Sequence, residues 1–281
     1  MAYDSSLVPP WTALPPWVVL HLPHDSTVLP DWTREQFAVD RATLEREVAL
    51  LTDHHTARLF GTGQSCPRVR AEASRVVVDV ERFVDDAREP MAERGLGVIY
   101  RRTSDGRALR HPIDERTRAR LLDELYWPHH ERLEAAVERA LATHGRCLVL
   151  DGHSFPKVPL PFEDSRAKRP DICIGTDEFH TPIALRESFV ASFEAEGWSI
   201  EVDTPFSGAL VPRSRYRRDR RVLAVMVEVQ RALYMDEATL EPRADFDDMA
   251  RRVQRACARA LRGQPPASAQ PLPARGFDTH K

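Results

Sequence analysis

The sequence predicts an α/β fold, a mixed and mainly parallel central sheet flanked by helices. Short apolar runs rich in β-branched residues alternate with longer stretches of helical period, the order that builds a sheet covered by helices. The most apolar run, Val222 to Val229, does not alternate polar with apolar residues, as expected of a strand covered on both faces. A chain of 281 residues with 42% hydrophobic and 30% charged side chains can bury one large core, so residues 17–263 are read as a single domain.

Residues 1–16 contain Pro9, Pro10, Pro15 and Pro16 and read as an irregular lead-in, because proline has no N–H to donate. Trp17 to Leu22 is an apolar run halted by Pro23, a buried strand feeding a loop that carries His24. From Asp40 to Phe60 the apolar positions Leu44, Val48, Leu51 and Ala57 or Leu59 recur at helical spacing, one amphipathic helix with room for an interruption. Arg75 to Val80 is β-branched and reads as a second strand, Gly97 to Tyr100 as another, with a turn at Ser104-Asp105-Gly106. Residues 114–144 are the longest helical region, with Leu121, Leu122, Leu125, Leu133, Val137 and Leu141 on one side. Pro128 marks a kink or a new start in it, and Gly145 ends it. Cys147 to Leu150 and Asp171 to Gly175 read as strands, Pro182 to Glu196 as a helix with Pro182 in its first turn, and Trp198 to Val202 as one more strand. Asp245 caps a last helix striped by Phe246, Met249, Val253, Cys257 and Leu261, Gly263 terminates it, and residues 264–281 read as a disordered Pro/Ala/Ser tail.

A net charge of −3, from 40 Lys+Arg against 43 Asp+Glu, gives no global pull toward nucleic acid or an anionic membrane. The four cysteines lie far apart with no CxxC pair, which suits reduced thiols in a cytoplasmic protein. Neither a signal peptide nor a stretch approaching the ~20 apolar residues of a membrane helix is legible, so no membrane partner is expected. The cluster from Arg213 to Arg221, with Tyr216 inside it, has the look of a nucleic-acid patch. Against the acidic remainder it reads as a solvated loop that attracts an anionic substrate, and no nucleic-acid partner is expected.

Two of the expected strands end in histidine-bearing loops, Leu22-Pro23-His24-Asp25-Ser26 and Leu150-Asp151-Gly152-His153-Ser154. Open α/β sheets place their ligand sites beyond carboxyl strand ends, so the two imidazoles can converge there. Imidazole nitrogen is a good zinc donor, and a catalytic zinc takes three protein ligands with one position left open. Asp53, His54 and His55, near the end of the first helix, can each supply the third, and Asp53 is the choice among them. Glu228 is the anomaly of the apolar strand. An unpaired carboxylate there is costly and is relieved by a metal, another cation or protonation, a structural ion pair with an arginine being the plainer alternative. Asp25 and Asp151 adjoin the two histidines and either orient them or serve the turns. His180, in an apparent loop, is read first as a surface histidine and second as a substrate contact.

The segments LPHDST, TDHHTARLF, SRVVVDVERF, YWPHHERL, LDGHSF, PDICIGT, PFSGALVP and VMVEVQRALYMDE occur in that order between about residues 17 and 237. In this the chain resembles the N-formylglutamate amidohydrolase family. The resemblance implies a fold similar to zinc carboxypeptidases, with one zinc ion at the mouth of the sheet held by His24, Asp53 and His153. It implies Glu228 as the catalytic carboxylate facing a zinc-bound water, Arg75 as the cation at the oxyanion, and Arg82 as a clamp for a substrate carboxylate, with Arg213 as a second. The reaction implied is hydrolysis of an N-formyl or small N-acyl amide of an amino-acid-like small molecule.

Two departures bear on the substrate. Where the family usually reads Asn-Arg-Pro, this chain has Glu81-Arg82-Phe83, a negative group beside the implied clamp; and the first loop reads Pro-His-Asp-Ser in place of a Pro-His-Ser-Gly type. Glu81 repels a substrate carboxylate unless it is paired or turned away, which opens the way to another N-acyl amine or a small peptide.

Overall fold

The computed structural model describes residues 12–61 and 64–262 and forms one six-stranded sheet. The strands are β1 (Val18–Leu22), β2 (Arg68–Arg70), β3 (Cys147–Phe155), β4 (Ile172–Gly175), β5 (Ile200–Val202) and β6 (Val222–Gln230), in the spatial order β2-β1-β3-β6-β4-β5. β2, β1, β3 and β6 run parallel, while β4 meets β6 antiparallel and carries β5 parallel to itself, so the sheet is mixed and mainly parallel. The helices are α1 (Arg41–Leu51), α2 (Thr56–Leu59), α3 (Glu115–Leu121), α4 (Trp127–His144), α5 (Ile183–Glu194) and α6 (Phe246–Leu261).

Alternation along the strands sorts side chains onto two faces. Cys147 and Val149 of β3 and Val222 and Ala224 of β6 cluster with Leu133, Val137 and Leu141 of α4. Leu148 and Leu150, with Val225, Val227 and Val229, cluster on the other side with Phe189 and Phe193 of α5 and Val253 and Cys257 of α6. Both faces are covered, which is why β3 and β6 are buried along their whole length and show no polar alternation. On the α4 face the parity continues to Asp151, His153 and Glu228, so the polar side chains emerge at the carboxyl ends of β3 and β6, beyond the apolar cluster.

Arg75–Val80 and Gly97–Tyr100, expected as strands, are turns and irregular backbone. Their apolar side chains are buried all the same: Val76, Val77, Val78, Val98 and Tyr100 form a separate cluster with Leu44, Val48 and Leu51 of α1. Where a sheet ladder would satisfy the carbonyls, buried Arg110 donates to those of Val76, Val77 and Tyr100, each at 3.1 Å. The β-branched composition reports burial here rather than strand pairing. Conversely, β2 is a three-residue strand at the sheet edge, with Val69 buried between two exposed arginines, too short and charged to be legible as a strand.

The 40–60 region breaks at Thr52 into α1 and α2, and Asp53 sits in the corner between them. Residues 114–144 split likewise at a π-helical turn, Leu122–Tyr126, after which Pro128 stands in the first turn of α4 and Gly145 ends it at φ +70°. Asp245 occupies the N-cap position of α6, but its side chain accepts from Arg243 Nε at 3.2 Å and does not cap. Pro182 is the N-cap of α5, one residue before its first turn. The four cysteines are free and buried, and no helix among the described residues is long and apolar enough to cross a membrane. Residues 1–11 of the lead-in, Gly263 and the 264–281 tail lie outside the described residues.

Two local features hold the layers near the site. Gly175 closes β4 where a Cβ would stand 2.4 Å from the Gly208 carbonyl oxygen, so the absence of a side chain lets the loop carrying Phe206 lie against the sheet. Glu196, just past α5, is gripped by Arg255, Arg259 and Arg252 of α6, which ties the two helices together. The Arg255 hydrogen bond, against the opposing effect of burial and with help from the other two charges, holds this carboxyl below its ordinary value. A depressed carboxylate contributes stability above its unfolded pKa and loses it as pH falls through the folded value. Glu196→Gln is therefore expected to cost about 1–3 kcal/mol at pH 7. In urea denaturation at stepped pH, the gap between variant and parent should narrow through the acid range; a gap independent of pH would remove the charge from the explanation.

Candidate active site

β1 and β3 are parallel neighbours, so His24, just past the end of β1, and His153, near the end of β3, arrive at the same edge of the sheet. His153 stands directly across from Glu228 of β6, on the same face. The Asp53 N–H donates to the His24 carbonyl at 2.9 Å, which pins the α1–α2 corner to the loop after β1. Three side chains from distant segments thereby converge. His24 Nδ1 lies 3.2 Å from His153 Nδ1 and 3.8 Å from Asp53 Oδ2, and Asp53 Oδ2 lies 3.2 Å from His153 Nδ1. His54 and His55, the other candidates for the third position, are turned to the carbonyls of Ala49 and Leu240.

The opposite ring nitrogens decide what faces the centre. His24 Nε2 is 2.9 Å from Asp79 Oδ1, and His153 Nε2 is 3.0 Å from Asp151 Oδ1. An ionised carboxylate can only accept, so each Nε2 carries the proton and each neutral ring turns a lone pair at Nδ1 toward the other ring and toward Asp53. Three acceptors aimed at one region repel unless a proton or a metal cation lies among them. A tetrahedral zinc with metal–ligand distances of about 2.0–2.1 Å has ligand–ligand edges of about 3.4 Å, close to the separations found. Two imidazoles and a carboxylate, buried and so spaced, fit a divalent ion.

The electrostatics agree with that fit. Burial holds His24 below its ordinary pKa, with Arg75 adding to the effect. Burial also works against charge on His153, but Glu81 and Asp151 outweigh it and hold the ring well above its ordinary value, so a proton occupying the centre belongs to His153. Asp53 is likewise buried, yet His153 and Arg231 hold its carboxyl well below the usual range; Arg231 Nη2 donates to Asp53 Oδ1 at 3.0 Å. Burial pushes Glu228 up to about 8, and its Oε2 has no hydrogen-bond partner. Among the described residues Glu228 forms none of the ion pairs with arginine that the plainer sequence reading allowed.

Arg75 donates through Nε and Nη2 to Asp79 Oδ2, at 3.1 and 2.8 Å, and Tyr100 donates to the same oxygen at 2.7 Å. Arg82 lies 3.5 Å from Asp79 and 3.4 Å from Glu89. Glu81 Oε2 reaches within 3.4 Å of His153 Nε2 and 3.6 Å of His24 Nε2, so the residue that departs from the family pattern lies against the two imidazoles. Arg213 stands over the Trp127 ring at the start of α4. Asp25 pairs with Arg70 at 2.8 Å, whereas Asp151 joins His153 to His21 Nδ1 at 2.7 Å and accepts from the Leu210 N–H.

His180 is neither a surface residue nor free to meet substrate. It is fully buried, its Nδ1 donating to the Val222 carbonyl and its Nε2 accepting from the Arg217 N–H, so it knits the preceding loop to β6. The basic cluster is locally neutralised: Arg215 pairs with Glu134, Glu138 and Asp219, Arg221 with Asp219, and Arg220 lies over Phe179. Asp79, Tyr100, Arg231 and His21 escaped the sequence reading. His21 was detectable in principle, since a histidine inside an otherwise apolar strand needs partners; it has Asp151 on one side and His129 Nε2 at 2.8 Å on the other.

Residues 17–235 match the family model for N-formylglutamate amidohydrolase. The chain is 31% identical over 251 residues to an N-formylglutamate deformylase of Pseudomonas aeruginosa, covering 85% of this chain and 90% of that protein. It is 26% identical over 250 residues to an N-formylglutamate deformylase of Pseudomonas putida, covering 84% and 88%. Among solved structures, an N-formylglutamate amidohydrolase from Ralstonia eutropha JMP134 is similar with a TM-score of 0.73 at 21% identity, covering 87% of this chain and 92% of that one. A gene product of Agrobacterium tumefaciens is similar with a TM-score of 0.65 at 19% identity, covering 89% and 92%. The two solved structures speak for the fold; the family match over most of the chain, with the first relative matched along most of both lengths, goes further, and the chain belongs to the N-formylglutamate amidohydrolase family.

Proposed function

We propose that this protein is a zinc-dependent amidohydrolase that removes a formyl or other small acyl group from the nitrogen of an amino-acid-like substrate, with His24, Asp53 and His153 as the metal ligands. The observation that most supports this reading is the convergence of three lone pairs beside a buried carboxylate whose Oε2 has no partner. The names of the two Pseudomonas relatives point to the same reaction. When bound, the ion supplies Lewis acidity, which polarises the amide carbonyl and acidifies a neighbouring water.

This chain's own groups do the rest. Asp79 and Asp151 keep both imidazoles in the tautomer that presents Nδ1. Glu228, a carboxyl whose pKa burial has raised, ionises when a cation faces it; it takes a proton from the attacking water and returns it to the departing amine, leaving formate and the free amine. The charge of Arg75 is felt at both His24 and Glu228 and stabilises the oxyanion that develops between them. Arg82 and Arg213 receive substrate carboxylates, and Glu81, held beside the imidazoles, selects against a negative group there. That placement of Glu81 favours a second reading, in which the substrate is an N-acyl amine other than N-formylglutamate.

The test is elemental analysis of the purified protein together with a panel of N-formyl, N-acetyl and peptide amides. About one equivalent of zinc per chain is expected. Formate release should stop on chelation and return with zinc. A chain without bound metal that hydrolyses none of the panel would overturn the reading.

A further inference from the structure

Arg169 has a role that the metal-site residues do not explain. The segment between β3 and β4 leaves after Phe155 and returns beside the end of β6, because β4 pairs antiparallel with β6 and sets Ile172 against Val229. The Gln230 N–H donates to the Asp171 carbonyl at 2.9 Å, and its side-chain amide donates to the Pro170 carbonyl at 3.0 Å. Arg169 is thus anchored next to Gln230, which lies two strand positions beyond Glu228, a step of roughly 7 Å. Strand parity puts Phe155 on the same face as His153 and Glu228.

The guanidinium of Arg169 lies 5.3 Å from the ring of Phe155 and 5.7 Å from that of Phe206. Its side chain is 11% exposed, and its ion-pair partner is Glu163, on the same segment. Its Nε, Nη1 and Nη2 have no hydrogen-bond acceptor among the described residues. The other arginines near the site are engaged: Arg75 on Asp79, Arg82 on Asp79 and Glu89, and Arg231 on Asp53 and the Leu50 carbonyl. A guanidinium fork with unspent donors, in a slot walled by two aromatic side chains, is the group that recognises a planar carboxylate.

We propose that the slot between Phe155 and Phe206 is a carboxylate-binding subsite, that Arg169 receives a carboxylate of the substrate there, and that Glu163 is an internal carboxylate which the substrate displaces. The inference rests on the hydrolase reading for the identity of its ligand. It makes opposed predictions for the two partners of one ion pair: Arg169→Gln removes the receptor, while Glu163→Gln removes the competitor. A purely structural pair would suffer alike from either change.

Glutarate, a five-carbon dicarboxylate, is the probe, titrated calorimetrically into the zinc-loaded full chain. Arg169→Gln is expected to weaken binding about tenfold or more, and Glu163→Gln to tighten it by about threefold or more. With N-formyl-L-glutamate as substrate the same two changes should appear in KM, upward for the first and downward for the second. Parallel weakening in both variants, or unchanged affinity in both, overturns the subsite. Opposed shifts in glutarate affinity from a protein that hydrolyses no formyl amide would leave the subsite standing and remove the hydrolase reading. Hydrolysis without the opposed shifts would do the reverse.

Discussion

Glu228→Gln is expected to lower kcat for amide hydrolysis by about 10²–10⁴-fold while leaving the metal content of the protein unchanged. Glutamine keeps the size of glutamate and an oxygen in place, but an amide oxygen cannot take a proton from water. The position lies on β6, across from His153, and is not one of the three side chains whose donor atoms converge on the centre. Stability should move the other way. The native carboxyl is buried with an unpartnered oxygen, and a neutral amide escapes the cost of charge there, so the variant should melt at the parent temperature or above it. Steady-state formate release, metal analysis and thermal denaturation on one preparation read all three. A variant with a near-normal rate would remove Glu228 from the mechanism; one that has lost its metal would make it a ligand.

His153→Ala is expected to abolish stoichiometric zinc binding and, with it, activity to below about one part in 10³ of the parent rate. In the proposed reading this ring is a ligand through Nδ1 and is held in its tautomer by Asp151. Asp151→Asn should therefore behave differently, keeping the ligand set and binding zinc about 10–100-fold more weakly. Zinc should raise the melting temperature of the parent and, at higher concentration, of the Asp151 variant, but not that of His153→Ala. Competition against a chromophoric chelator gives the affinities. If His153→Ala held one equivalent of zinc with parental affinity, the proposed site would be misplaced.

Both expectations depend on residues that were visible one at a time in the sequence but whose partners were not. Strand ends and the solitary glutamate could be read because a nine-residue apolar run with one carboxylate is a local anomaly, whatever surrounds it. The valines from Val76 to Val78 misled for the complementary reason. Apolar β-branched residues record burial, and here Arg110 satisfies the backbone that strand partners would otherwise have paired. His180 misled because a histidine between turn residues gives no sign that two backbone groups, on Val222 and Arg217, will enclose it.

The sequence by itself determined the elements: which runs bury both faces, where proline and glycine stop them, and which polar residues sit at their ends. Periodicity and backbone geometry act over a few residues, so these properties are written locally. Only the tertiary structure decided that His24 meets Asp79, 55 positions away, that His153 meets Asp53 at 100 and that Arg231 meets Asp53 at 178. Which nitrogen of each ring is free, and which carboxyl is left without a partner, follows from those distant pairings. A buried polar group must be satisfied by whatever the fold brings to it, and no local pattern specifies what that is.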